Sequence, residues 1–308
     1  MPRSQPALKI LPSPPPRSIA IPPSIRTIGP ALSLLLATGF LVSCATPPQG
    51  ADTNALHPTD AALQNSAWAA RSRVIGLPGS RHWTHKAFGD RRPTRYRPTT
   101  KAGRDALHAH SAAGNSTVRL ALTPAEGTPP VRLGFSWYVP ALIEQADLKD
   151  RAVDDAVARV ILTFGGDRDQ RFSSRDHMLS ELARIVTGEP LPYATLMYVW
   201  DNRYPVGTVI PNPHSSRIRQ LVVESGPDRL DQWVDFERDV QTDFQRAFGE
   251  APGPLHSVGI MTDSNNTGTT TQAWYGPVTL RHAGDKGAPP MTTPIEGQPV
   301  SEAWLRQP

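Results

Sequence analysis

The side chains of this chain that could do chemistry are few and scattered. Glu224 and Asp201 are candidate partners, because a pair of carboxylates at a suitable separation is all that glycoside hydrolysis demands. The run Asp263-Ser-Asn265-Asn266-Thr267 offers the hard oxygen ligands that calcium takes. It is also the composition of a strand-connecting turn held by Asx side chains. With one carboxylate present the turn takes precedence, since strong calcium sites depend on ligand charge. Arg238, close to Asp239 and Asp243, could grip a carboxylate ligand or belong to a solvated, ion-paired face. The aromatic residues Trp137, Tyr138, Tyr198, Trp200, Trp233, Trp274 and Tyr275 could supply a stacking platform for sugar rings. Tyr138 falls out of phase with the apolar face of its segment and is the candidate for an exposed ring. Trp200 precedes Asp201-Asn-Arg203 at a strand end, where a ring and polar partners can converge as binding sites require. There is no Gly-x-Ser-x-Gly, no His-Glu-x-x-His and no phosphate-binding Gly-rich loop, and His177, His214 and His256 stand alone. The candidate ligand-binding set is therefore Tyr138, Trp200, Asp201, Arg203, Arg238 and Asp263, with calcium at Asp263 and Asn265 the one cofactor to weigh.

The single cysteine stands where a thiol has a use. Cys44 follows Leu41-Val42-Ser43, which close an apolar run of 12 residues over 31–42. That length suits the h-region of a signal peptide and falls short of the ~20 residues a bilayer span needs. Extending the run to 28–45 reaches only 18 residues, with Gly29, Pro30 and Gly39 inside, so an uncleaved anchor is the weaker alternative. A small residue before the cysteine suits cleavage, and sulfur is the nucleophile that diacylglyceryl transfer needs. The pattern resembles a bacterial lipoprotein signal, so residues 1–43 are expected to be removed and Cys44 acylated. Ala45 rather than Asp after the cysteine points to the outer membrane. Each buried methylene of an acyl chain adds about 0.8 kcal/mol, so several chains would hold the protein in place.

Charge and composition support the same division. Net charge is +4 and the pI about 9.4, yet Arg3, Lys9, Arg17 and Arg26 all precede Cys44, where no acid occurs. Without those four the 32 basic residues fall to 28, matching the 28 acidic ones. The electrostatic footprint of a nucleic-acid binder therefore largely disappears. One cysteine excludes an internal disulfide framework. Residues 44–80 read as a flexible tether with a short helical patch around 61–70, and 285–308 as a disordered tail. Between them, 81–284 form the one candidate domain.

Within that domain, apolar alternation predicts strands over 117–122, 131–139, 157–164, 193–200, 218–223, 257–261 and 273–280. The strand at 193–200 is apolar on both faces, as a central covered strand would be. Residues 81–104 hold eight Lys or Arg against one Asp, with Trp83, Phe88 and Tyr96 interleaved. This is formally a single-strand nucleic-acid pattern, but a basic strand whose aromatics are core explains it better. Helices are predicted over 174–186, ending at Gly188, and over 236–248, with Asp235 as N-cap and Gly249 past the end. Each is expected to lay an apolar stripe on a sheet. Many strands and few helices imply an all-β-dominated fold, an antiparallel, jelly-roll-like β-sandwich with two inserted short helices.

Five motifs then occur in one order: Phe135-Ser-Trp-Tyr-Val-Pro140; Leu191-Pro-Tyr-Ala-Thr-Leu-Met-Tyr-Val-Trp200; Val222-Val-Glu-Ser-Gly226 followed by Trp233; Arg238-Asp-Val240 with Asp243-Phe244 and Phe248-Gly249; and Thr262-Asp-Ser-Asn-Asn-Thr-Gly268. Together they resemble the bacterial family known as domain of unknown function 3047, across essentially all of residues 81–280. The resemblance implies a β-sandwich similar to the jelly rolls of carbohydrate-binding modules, an analogy at the level of fold. Two positions depart from the family's pattern: Asn265 stands where a second Asp is usual, and Pro277 replaces an acid.

The functional expectation is a periplasm-facing lipoprotein of the outer membrane, held by its lipid anchor. Its β-sandwich would bind an envelope ligand, either a glycan or an envelope protein, without nucleic acid as a partner. A hydrolase using Asp201 and Glu224, and a purely structural role in an envelope assembly, are the alternatives.

Overall fold

The computed structural model describes residues 58–74, 82–89, 91–123 and 132–281. The chain divides after Thr53, and all described residues lie in the second unit. Residues 1–43, expected as a leader, Cys44, and residues 285–308, expected as a tail, lie outside the described residues. Among the described residues no helix is long and apolar enough to cross a membrane.

Alternation of apolar and polar residues builds two sheets that face each other. The first contains β3 (Arg95–Lys101), β4 (Arg104–Ala112), β13 (Thr270–Tyr275), β6 (Arg132–Tyr138) and β11 (Trp233–Asp239), neighbours in that order. Beside β13, the short β14 (Thr279–Arg281) also pairs with β6, and β1 (Arg73–Val74) pairs with β14. The second sheet runs β2 (Trp83–Ala87), β5 (Ser116–Ala121), β12 (Leu255–Met261), β7 (Arg159–Phe164), β8 (Ala194–Asp201), β10 (Ile218–Ser225) and β9 (Val209–Pro211). Most pairs are antiparallel, and β8–β10 and β1–β14 are the parallel ones.

Inward residues of the two sheets make one core. Leu133, Phe135 and Trp137 of β6 meet Leu196, Tyr198 and Trp200 of β8, with Phe135 stacked 5.7 Å from Tyr198. β8 is buried on both sides, as its unbroken apolar run predicts. Its outer face carries Val199, which packs with Val222 and Ile210 under Leu148 and Ala156.

Helices close the open sides of this sandwich. α5 (Val240–Phe248) packs against β10 of one sheet and β11 of the other, sinking Val240 and Phe244 into the core. On the opposite side α1 (Pro58–Gln64) and α2 (Ala67–Arg71) cover β2 and β3, the last strands of the two sheets. Residues 58–74, expected within a flexible tether, are thus part of the folded domain. Leu63 and Trp68 enter its core, and the Trp68 indole N–H donates to the Gly276 carbonyl at 2.9 Å. A sandwich edge is a row of unpaired backbone groups above an open core, and these two apolar side chains complete it.

Other boundaries also move. α5 begins at Val240 with Asp239 as its cap, because residues 233–239 are strand β11. A spacing of four between Phe236 and Val240 satisfies both helical and strand alternation, so the pattern could not place the junction. The segment 273–280 is two strands, β13 and β14, interrupted at Gly276-Pro277. The short α3 (Arg168–Arg171) leads into α4 (Ser174–Thr187), which is sited as expected, with a capping box of Ser173 and Asp176 and a left-handed Gly188 at its end. Its apolar stripe, however, covers no sheet: Leu182 is 55% exposed and Ile185 78%, alongside Met178 and Val186. Polar ties hold this helix instead. The Asp176 carboxylate accepts hydrogen bonds from Ser173, Ser215 and Ser216, and Ser180 Oγ accepts one from the Leu191 amide.

Candidate functional site

Four of the six described tryptophans, Trp68, Trp83, Trp137 and Trp200, are completely buried. The other two, Trp233 and Trp274, lie half-buried on the outer face of the first sheet. Register explains their position. Residues opposite each other on neighbouring strands share a face, and pairing aligns Arg97 with His108, His108 with Trp274, Trp274 with Tyr138 and Tyr138 with Trp233. These five residues form one row across five strands, about 19 Å long at ~4.8 Å per strand.

The row is a connected arrangement of rings and cations. Tyr138 meets Trp233 at 6.0 Å and Trp274 at 5.8 Å, both edge to face, and His108 stacks on Trp274 at 4.5 Å. The β3–β4 hairpin turns through Ala102 (φ 46°) and Gly103 (φ 76°), so its tip is a two-residue turn of left-handed backbone. From that tip Lys101 places its Nζ 4.3 Å from both the Tyr138 and Trp274 ring centroids, and the Arg104 guanidinium lies 5.4 Å from Trp233. The Trp233 indole N–H donates to the Lys101 carbonyl at 3.0 Å, pinning the tip beside the rings. His108 donates from Nε2 to Gln272 Oε1 at 3.0 Å. Burial lowers its pKa, the Gln272 hydrogen bond opposes this, and nearby His110, Arg97 and Lys101 lower it further.

Of the residues singled out from the sequence, Tyr138 belongs to this row. Trp200 is buried in the core, its indole N–H donating to the Gly226 carbonyl at 3.0 Å, so no ligand can stack on it. Asp201 is buried and accepts the Arg203 backbone N–H at 2.7 Å; burial raises its pKa, while that N–H and the one of Tyr204 pull it back. Arg203 reaches Asp147 Oδ2 at 3.2 Å. Arg238 forms a bidentate pair with Asp243 at 2.9 and 2.7 Å, and Tyr198 donates to the same carboxylate at 2.9 Å, which is the ion-paired reading of that helix end. Glu224 pairs with Arg229 at 3.2 Å. Its register partner on β8 is Trp200 while Ser225 pairs with Asp201, and a register shift between Val222 and Glu224 interrupts the alternation there.

The loop from Asp263 to Thr267 is knitted to the chain at 154–159. Asp263 accepts Arg159 Nε at 2.9 Å and Nη2 at 3.2 Å, together with the Ala156 N–H at 3.1 Å. Asp155 accepts the Thr267 hydroxyl at 2.7 Å. A guanidinium thus sits where calcium would have to approach Asp263, and Asn265 is hydrogen-bonded to Asn115. Among the described residues no group of three or more His, Cys, Asp or Glu is arranged to hold a metal. A polar recess of about 140 Å³ beside the α4 N-terminus, lined by Ser173, Arg175, Asp176, His214, Ser215 and Ser216, is shaped by the capping bonds of Asp176.

Trp233 and Trp274 stand among the aromatics that could form a stacking platform but not in the narrower ligand-binding set, Arg97 and Lys101 carried no signal beyond their place in the basic segment 81–104, and His108 carried none.

Fold and surface define a two-sheet β-sandwich with one ring-and-cation face. The chain belongs to the family described as Protein of unknown function (DUF3047), whose model matches residues 81–279. The match starts after α1, α2 and β1, although these belong to the same folded body. No curated protein matches the chain.

Proposed function

We propose that this protein is a glycan-binding lipoprotein of the bacterial cell envelope, tethered through Cys44, with the outer face of the first sheet as its binding surface. The observation that carries the reading is the row Trp233–Tyr138–Trp274–His108–Arg97. The core already contains four buried tryptophans and does not need these rings. The half-exposed rings offer their edges, and the ring surface that His108 and Lys101 leave uncovered, to the C–H surface of sugars, and the adjoining Lys101 ammonium offers hydrogen-bond donors that fix orientation. The absence of a nucleophile motif favours binding over hydrolysis, as does the engagement of Asp201 with the Arg203 backbone N–H and of Glu224 with Arg229.

Two measurements test the two halves of the proposal. Titration of the purified full chain in detergent against a panel of envelope oligosaccharides should quench tryptophan fluorescence, and Trp233→Ala with Tyr138→Ala should abolish the response. Binding that survives both substitutions sinks this surface. Separately, Cys44→Ala should leave unlipidated precursor in cells, and normal membrane-anchored maturation of that variant would overturn the anchor.

A further inference from the structure

The sheet face that carries the rings also carries cations without partners, and this bears on what kind of sugar it takes. Outward positions of β3 are Arg95, Arg97 and Lys101, and those of β4 include Arg104, His108 and His110. Among the described residues, Arg104 is paired with Asp235 at 2.7 Å, and no carboxylate pairs with Arg95, Arg97 or Lys101. Nearby acids are otherwise engaged: Asp105 with Arg71 at 3.0 Å, Glu237 with Arg132 at 3.4 Å, and Asp231 with the Tyr138 hydroxyl at 3.3 Å. About half of the arginines elsewhere among the described residues, such as Arg119, Arg159, Arg217 and Arg238, do have carboxylate partners. Lys101 rests against two π faces, which stabilise its charge without neutralising it.

We infer that the ligand is an acidic saccharide, a glycan bearing carboxylates of the uronic-acid type, bound with its rings along Trp274, Tyr138 and Trp233 and a carboxylate at Arg97 and Lys101. The inference rests on the glycan reading and narrows it. A neutral glycan would use the rings and leave the cations idle. A simple polyanion would use the cations and leave the rings idle. One row of register partners places both within a single ligand's reach. Arg97 presents a planar fork suited to a carboxylate, and Lys101 a compact ammonium beside the rings.

The test is a fluorescence titration of the full chain in detergent with a galacturonic acid oligomer, a neutral galactose oligomer of equal length, linear polyphosphate and a single-stranded oligonucleotide. The uronic oligomer should bind about tenfold or more tightly than the neutral one, as one charge-assisted hydrogen bond supplies, and the gap should shrink at high salt. Arg97→Gln and Lys101→Met should each weaken the uronic oligomer by about that factor and the neutral one by much less. Trp274→Ala should weaken both. If the Lys101 variant fails to fold by near-ultraviolet circular dichroism, the exposed Arg97 carries the test alone. Equal affinity for both oligomers overturns the acidic class while the glycan reading stands. Tighter binding of polyphosphate or the oligonucleotide overturns both, as does the absence of binding to either saccharide.

Discussion

Asp263 should make the stability of this domain depend on pH in a direction opposite to its ordinary carboxylates. Its side chain is buried beside Asp155. Burial penalises the charged form and Asp155 repels it, and these outweigh the attraction of Arg159, so its pKa rises from 3.8 to about 6. The folded protein therefore holds a proton there that the unfolded chain has released over the interval between those values. Asp263 contributes its stability in full below about pH 4, and that contribution is lost as pH rises through about 6. A shift of about two units corresponds to about 3 kcal/mol. Glu189, Asp176 and Glu250 act in the other sense, since their pKa values are lowered and they favour the fold at higher pH. The clean measurement is thus a difference. Urea unfolding followed by tryptophan fluorescence across that pH range should show Asp263→Asn gaining on the wild type by about 3 kcal/mol as pH rises from about 4 to 7. Parallel curves for the two proteins would refute the argument. Arg159→Met provides a second arm, because it strands Asp263 among carboxylates and should cost about 3–5 kcal/mol at neutral pH.

Two further expectations concern parts of the chain whose roles the structure changed. Trp68→Ala should destabilise the domain by about 3–5 kcal/mol in urea unfolding, since it empties a core site under α2; a negligible effect would return residues 58–74 to the status of a tether. Ile185→Lys should change stability by no more than about 0.5 kcal/mol, because that side chain projects from α4 into solvent, and a larger loss would mean the stripe is covered.

Much of the fold could be read in advance because its signals are local. Val160, Leu162 and Phe164 alternate along β7, and the unbroken run of β8 announced burial on both sides. Gly188 and Gly249 ended their helices as their lack of a Cβ allows, with φ of 76° and 72°. Where one pattern fitted two structures the reading slipped. Phe236 and Val240 are in phase for a helix and for a strand, and only pairing with β6 decided for the strand. Trp68 falls in the short helical patch of a segment that reads as a tether, and only its packing against Trp83 in the core shows that the patch belongs to the domain. The site was harder still. Trp200 and Arg238 stand beside suitable polar residues in the sequence, but the Trp200 indole is bound to the Gly226 carbonyl in the core and Arg238 is taken up by Asp243.

By itself the sequence determined which residues point to which side of the strands its alternation announced, such as β5, β6 and β7, where the two longer helices stop, and that the basic pI belongs to the segment before Cys44. Only the tertiary structure decided that Arg97, His108, Tyr138, Trp233 and Trp274 stand side by side. The physical reason is that side-chain direction follows from a two-residue period within one strand. Adjacency follows from which strands pair and in which register, and here that joins residues separated by more than a hundred positions.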